Sequence, residues 1–138
     1  MSEISVHDNF VYAYDVHCEQ RRIVLHTEFR DRPPAEQTDV IFSDVVAHHF
    51  ESVLSNNILF GIEEVDPGNI VTAWAELFAR QKNYGWPEGF EYRDPQELII
   101  LLSQRGLRGY EIGSSYGLGG WVLAAKMEIV QRAAKINP

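Results

Sequence analysis

A chain of 138 residues with 45% hydrophobic and 12% aromatic content can bury a core unaided by disulfides or metal, so disorder is excluded and a single domain over 1–138 is expected. Twenty acids against 12 bases give a formal charge of −8 and a pI near 5.0. That balance argues against nucleic acid and anionic membrane surfaces as partners, since both are held by clustered Lys and Arg.

Cys18 is the only cysteine. It can form neither an intramolecular disulfide nor a cysteine-based metal cluster, and it fits a reducing, cytoplasmic setting. Residues 1–10, MSEISVHDNF, lack a basic region followed by an apolar run, so no signal peptide is expected. No apolar run approaches the roughly 20 residues that span a bilayer.

From residue 10 onward the pattern alternates. Phe10, Tyr12, Tyr14 and Val16 oppose Val11, Ala13 and Asp15, which predicts a strand with one aromatic face. After the polar break Cys18–Arg21, the set Ile23, Leu25, Thr27 and Phe29 opposes Val24, His26, Glu28 and Arg30, which predicts the second arm of a hairpin. Pro33-Pro34 ends it, because neither residue can donate to a ladder. Three further short strands are expected between Thr38 and Asp66, around Val40–Phe42, Val45–Phe50 and Ile58–Ile62, with a turn at Ser55-Asn56-Asn57. One face of this stretch is expected to form the middle of the core through Phe42, Phe50, Ile58 and Phe60.

Asp66-Pro67 predicts the start of one helix, with Asp capping and Pro at the first position. Ile70, Ala73, Trp74, Leu77 and Phe78 share its apolar face, and Gly85 and Pro87 end it. Asp94-Pro95-Gln96-Glu97 starts a second helix as a capping box, with Leu98, Leu101 and Leu102 on one face and Gly106 as the stop. Tyr110 and Ile112 suggest a strand and 113–120 a glycine-rich turn. Residues 121–132 alternate like a strand, although their Ala and Met content also permits a helix. The expected fold is therefore α+β: an antiparallel sheet of five to seven strands with two helices packed on one face.

The charge is unevenly placed. Residues 33–79 hold eight carboxylates (Glu36, Asp39, Asp44, Glu51, Glu63, Glu64, Asp66 and Glu76) and no Lys or Arg, so this segment supplies the whole net charge. Possession of charge is not chemistry. His48 and His49 are adjacent, and on a strand adjacent side chains diverge, so they cannot share one metal. The same geometry separates Glu63 from Glu64. The glycine-rich turn 113–120 lacks both the lysine of a Walker loop and GxGxxG spacing, and Ser114 and Ser115 lack the GxSxG context of a nucleophile. No catalytic set, metal site or cofactor is expected.

The runs Asp44–Glu51, Asn57–Glu64, Tyr84–Pro87 and Ser114–Ala124 resemble a group of small uncharacterised bacterial proteins, some of which resemble immunity proteins of polymorphic toxin systems. That resemblance implies a protein partner and brings no catalytic residues. The expected function is a non-enzymatic protein-binding module, an immunity protein that neutralises a basic toxin domain through an acidic surface. Asp44, Glu51, Glu63 and Glu64 are the candidate charges, and Trp86 and Tyr116 the candidate aromatic anchors. The alternative is a small-molecule binder or enzyme using the turn 113–120. Either a monomer or a dimer is compatible with the pattern.

Overall fold

The computed structural model describes residues 5–31 and 35–132. Its strands are β1 (Phe10–His17), β2 (Arg22–Phe29), β3 (Glu36–Ser43), β4 (Ala47–Glu51), β5 (Asn57–Val65), β6 (Arg108–Tyr116), β7 (Gly119–Ala124) and β8 (Lys126–Arg132). Its α-helices are α1 (Pro67–Ala73), α2 (Ala75–Gln81) and α3 (Pro95–Gln104). The class is α+β and every strand pairing is antiparallel. Among the described residues two counts differ from expectation: eight strands stand where five to seven were expected, and three α-helices where two were. The Pro33-Pro34 break lies outside the described residues. Among the described residues no helix is long and apolar enough to cross a membrane.

The strand order is β4-β7-β6-β5-β1-β2-β3-β8. β7 is second and β8 last, yet Ala125 alone joins them. β3 and β4 are likewise joined through 44–46 and pair with β8 and β7. Ser43 faces Lys126 and Ala47 faces Leu123, so four steps on one strand match three on the other. The ladder is carried across this bulge by Ala125 N–H to the Ser43 carbonyl (3.1 Å) and Val46 N–H to the Leu123 carbonyl (2.9 Å). Asp44, at φ 54°, takes up the extra residue. The two ends of the sheet are thus parts of one long two-stranded ribbon, and the sheet closes on itself. The remaining seam is narrow. β1 meets β5 only at Phe10–Ile58 and Val11–Asn57, supported by the pair of bonds between Asp8 and Asn9 and the backbone of Leu59.

Closure divides the apolar residues between two cores. Val11, Ile23, Leu25, Val40, Phe42, Leu59, Ile112 and Val122 fill the interior of the closed sheet. Outside it, Ala47, Trp121 and Leu123 of β4 and β7 meet Ile70, Phe78, Leu98 and Leu102 of the helices. β7 is buried on both faces, with Val122 and Ala124 inward and Trp121 and Leu123 outward, so 121–132 is strand rather than helix.

Bulges correct two of the expected faces. The irregularity between Val11 and Ala13 in β1 breaks the aromatic face. Val11 points inward before it, while Tyr14 and Val16 pair with the inward-facing Leu25 and Ile23 after it. In β5 the register shifts on both sides of Leu59. Leu59 is therefore fully buried and Phe60 is 64% exposed. Phe42 is buried as expected and Phe50 and Ile58 half-buried, but Phe60 belongs to the surface.

The expected long helix is interrupted at Trp74, whose φ −113°, ψ 29° is not helical. The break lets its indole turn onto the sheet, 4.6 Å from the His49 ring and 6.1 Å from Trp121. Both helix starts hold: Asp66 accepts from Gly68 N–H and Asp94 from Glu97 N–H.

Candidate partner-binding surface

The six residues expected to bind a partner are spread around the molecule. Asp44 occupies the β3–β4 bulge and lines a cavity with Arg21, Glu88 and Arg105. Glu51 ends β4, 3.6 Å from His49 Nε2. Glu64 is paired with Arg108 at 3.1 Å. Trp86 is half-buried, its ring 4.8 Å from Phe78 and 6.3 Å from Trp121. Tyr116 is 56% exposed at the end of β6. Glu63 lies on the outer face of β5. The structure does not bring these six together.

It gathers a different set around Glu63. On the outer face of β5 and β6, Glu63 stands directly opposite Glu111. Both are exposed, and among the described residues neither makes an ion pair. One row further along, Gly61 faces Gly113, and a side chain at Gly61 would meet nothing within 4 Å. Phe60 lies over this bare backbone, 3.8 Å from where a Gly113 Cβ would stand. The His7 ring packs edge-on against it at 5.4 Å. The result is an exposed phenyl ring beside two unneutralised carboxylates and a stretch of main chain bare of side chains. Like charges opposite each other on neighbouring strands oppose folding, and a cationic partner would relieve that repulsion. Phe60 escaped sequence reasoning because a bulge inverts the alternation at Leu59. Glu111 escaped because it lies outside the acidic segment and meets Glu63 only through strand register.

The histidine pair diverges as expected. His49 turns to Trp74 and Trp121 on the helix side, whereas His48 packs on Phe50 at 5.2 Å. Burial, and then the neighbouring His49, hold the His48 pKa below the usual value. Among the described residues no three His, Cys, Asp or Glu side chains are grouped so as to hold a metal ion.

The stretch 113–120, expected as a turn, is the end of β6 and the start of β7 joined by Gly117 and Leu118 alone, and two of its glycines are required by close approach. A Cβ on Gly117 would lie 2.3 Å from Asn57 Oδ1, and one on Gly120 would lie 1.9 Å from the His49 carbonyl. Ser114 Oγ donates to the Gly117 carbonyl.

A second polar cluster crosses the outer face of β1, β2, β3 and β8. His26 sits between two carboxylates, with Nε2 2.7 Å from Asp15 Oδ2 and Nδ1 3.0 Å from Asp39 Oδ1. Arg132 donates through Nη2 to the Tyr12 hydroxyl, and its Nε lies 3.1 Å from Asp39, a contact of charge rather than an aligned hydrogen bond. Burial alone would lower the His26 pKa, but hydrogen bonds to Asp15 and Asp39 outweigh it and raise it. Asp15 is lowered in turn, chiefly by its bond to His26. His26, Asp15 and Asp39 already satisfy one another, so the cluster reads as a fastener of the sheet rather than as a reactive centre.

Comparison with known proteins adds no relative: no family model matches this chain, and neither the curated proteins nor the solved structures contain a match.

Proposed function

We propose that this chain is a non-enzymatic protein-binding module whose partner presents a basic surface, and that the outer face of β5 and β6 is the contact. The observation that carries this reading is the exposed Glu63–Glu111 pair beside Phe60. Opposed carboxylates without a cation raise the on-rate and orientation of a basic partner, and a protruding aromatic ring next to bare backbone supplies an anchor. A toxin domain that acts on nucleic acid has the required positive surface, so an immunity role in the cytoplasm is the specific form of this reading. Tyr116, at the end of β6 and opposite Ile58 of β5, extends the aromatic part of the contact.

Recovery of the chain from its native host at low salt, followed by mass spectrometry, tests the idea when run beside a Phe60→Ala/Glu63→Lys/Glu111→Lys variant. A specific basic partner retained by the parent chain and lost by the variant is the expected result. Failure to recover any specific partner, or equal recovery by both chains, would remove this surface from consideration. Light scattering on the purified protein distinguishes monomer from dimer.

A further inference from the structure

A cavity of about 300 Å³ opens between the β1–β2 turn, β4 and the segment carrying Trp86 and Glu88. Ligand sites span roughly 300–1,000 Å³, so this one suits a small ligand. Val16, Ile23, Val45 and the Trp86 ring give it apolar walls. Its polar groups reverse the sign of the molecule: Arg21, Arg22 and His17 stand against Glu88 alone, in a chain of net charge −8.

The arginines are available. Arg22 is exposed and makes no ion pair among the described residues. Arg21 touches Glu88 at 3.8 Å with both side chains largely in water, a contact of little strength that an incoming anion would displace. His48 lines the same cavity.

We propose that this cavity binds a small carboxylic acid with an apolar body. Arg22 and Arg21 hold the carboxylate, and Trp86, Val45 and Ile23 enclose the remainder. A guanidinium takes a carboxylate through paired, charge-assisted hydrogen bonds, and the apolar walls suit a hydrocarbon body. The site is on different strands from the β5–β6 surface and does not depend on the partner-binding reading.

Octanoate and its neutral analogue octan-1-ol serve as probes, with two reporters built into the chain. Trp86 lines the cavity, and Cys18, the single cysteine, is exposed at its lining and can be labelled by a thiol reagent. Octanoate should change tryptophan emission saturably and slow Cys18 labelling over the same concentration range, binding at least about tenfold more tightly than octan-1-ol. Arg22→Ala, an exposed substitution that leaves the fold intact, should weaken octanoate by roughly tenfold or more and leave octan-1-ol unchanged. Equal binding of acid and alcohol overturns the proposal, as does an unaltered Arg22→Ala variant or saturation without Cys18 protection. So does the absence of saturation up to about 10 mM.

Discussion

At Asn57, one buried amide serves three segments of the chain. Its Oδ1 accepts from Leu54 N–H and Leu118 N–H, both at 2.9 Å, and its Nδ2 donates to the carbonyls of Leu54 and Val11. Asn57→Ala strands all four groups, so denaturant unfolding should show a loss of roughly 2–4 kcal/mol. His26 makes a different prediction, one of sign. Its folded pKa lies above the unfolded value of about 6.5, so its contribution is fully present below that value and is lost as pH rises through the folded pKa. Asp15, whose pKa is lowered, works the other way: its contribution is present above its unfolded value and lost as pH falls through the folded one. His48 is held low, so its burial weakens the fold as pH falls below about 6.5, but that effect is common to parent and variant. In His26→Gln, the stability deficit relative to the parent should be largest near pH 6 and shrink steadily toward pH 9, as parallel urea titrations would show. A deficit independent of pH would mean that the Asp15–His26–Asp39 contacts contribute packing and no charge coupling.

Among the elements, β5 shows most clearly what could be read from the sequence. Its existence follows from Ile58, Phe60 and Ile62, and its place beside other strands from apolar residues on both faces. Its facing does not follow, because a bulge at Leu59 shifts the period by one and the cause lies in the pairing with β6. The same limit hid the Glu63–Glu111 pair. Helix starts were legible because caps are local: Asp66 and Asp94 accept the bonds their positions imply. The break at Trp74 was not, because tertiary contact with Trp121 and His49 overrides a good helical face. If the facing carboxylates repel, Glu63→Gln should stabilise the isolated protein by roughly 0.2–1 kcal/mol in thermal or urea unfolding, while weakening any basic partner. A variant that is destabilised would indicate that Glu63 has a favourable role within the fold.

For the molecule as a whole, the sharing of β7 couples the two cores. Leu102 belongs to the helix side alone and is fully buried. Leu102→Ala should cost about 2–5 kcal/mol. Because Val122 and Trp121 are neighbours on one strand with opposite faces, that loss should appear equally in both probes of unfolding. Emission reports the helix side, where Trp74, Trp86 and Trp121 all lie, and far-ultraviolet dichroism reports the sheet. Separate midpoints would show that the helical layer comes away by itself. The ribbon of β3–β4 against β7–β8 also has a bearing on synthesis. A ribosome delivers residues 36–51 long before 119–132, so β3 and β6 each wait with one edge open, and β4 with both, until the last described strands arrive. Unpaired edges recruit other chains. A nascent or proteolysed chain that ends before Gly119 therefore lacks its closing staves and presents adhesive strand edges, and the interval before closure is the period in which a chaperone would be needed most.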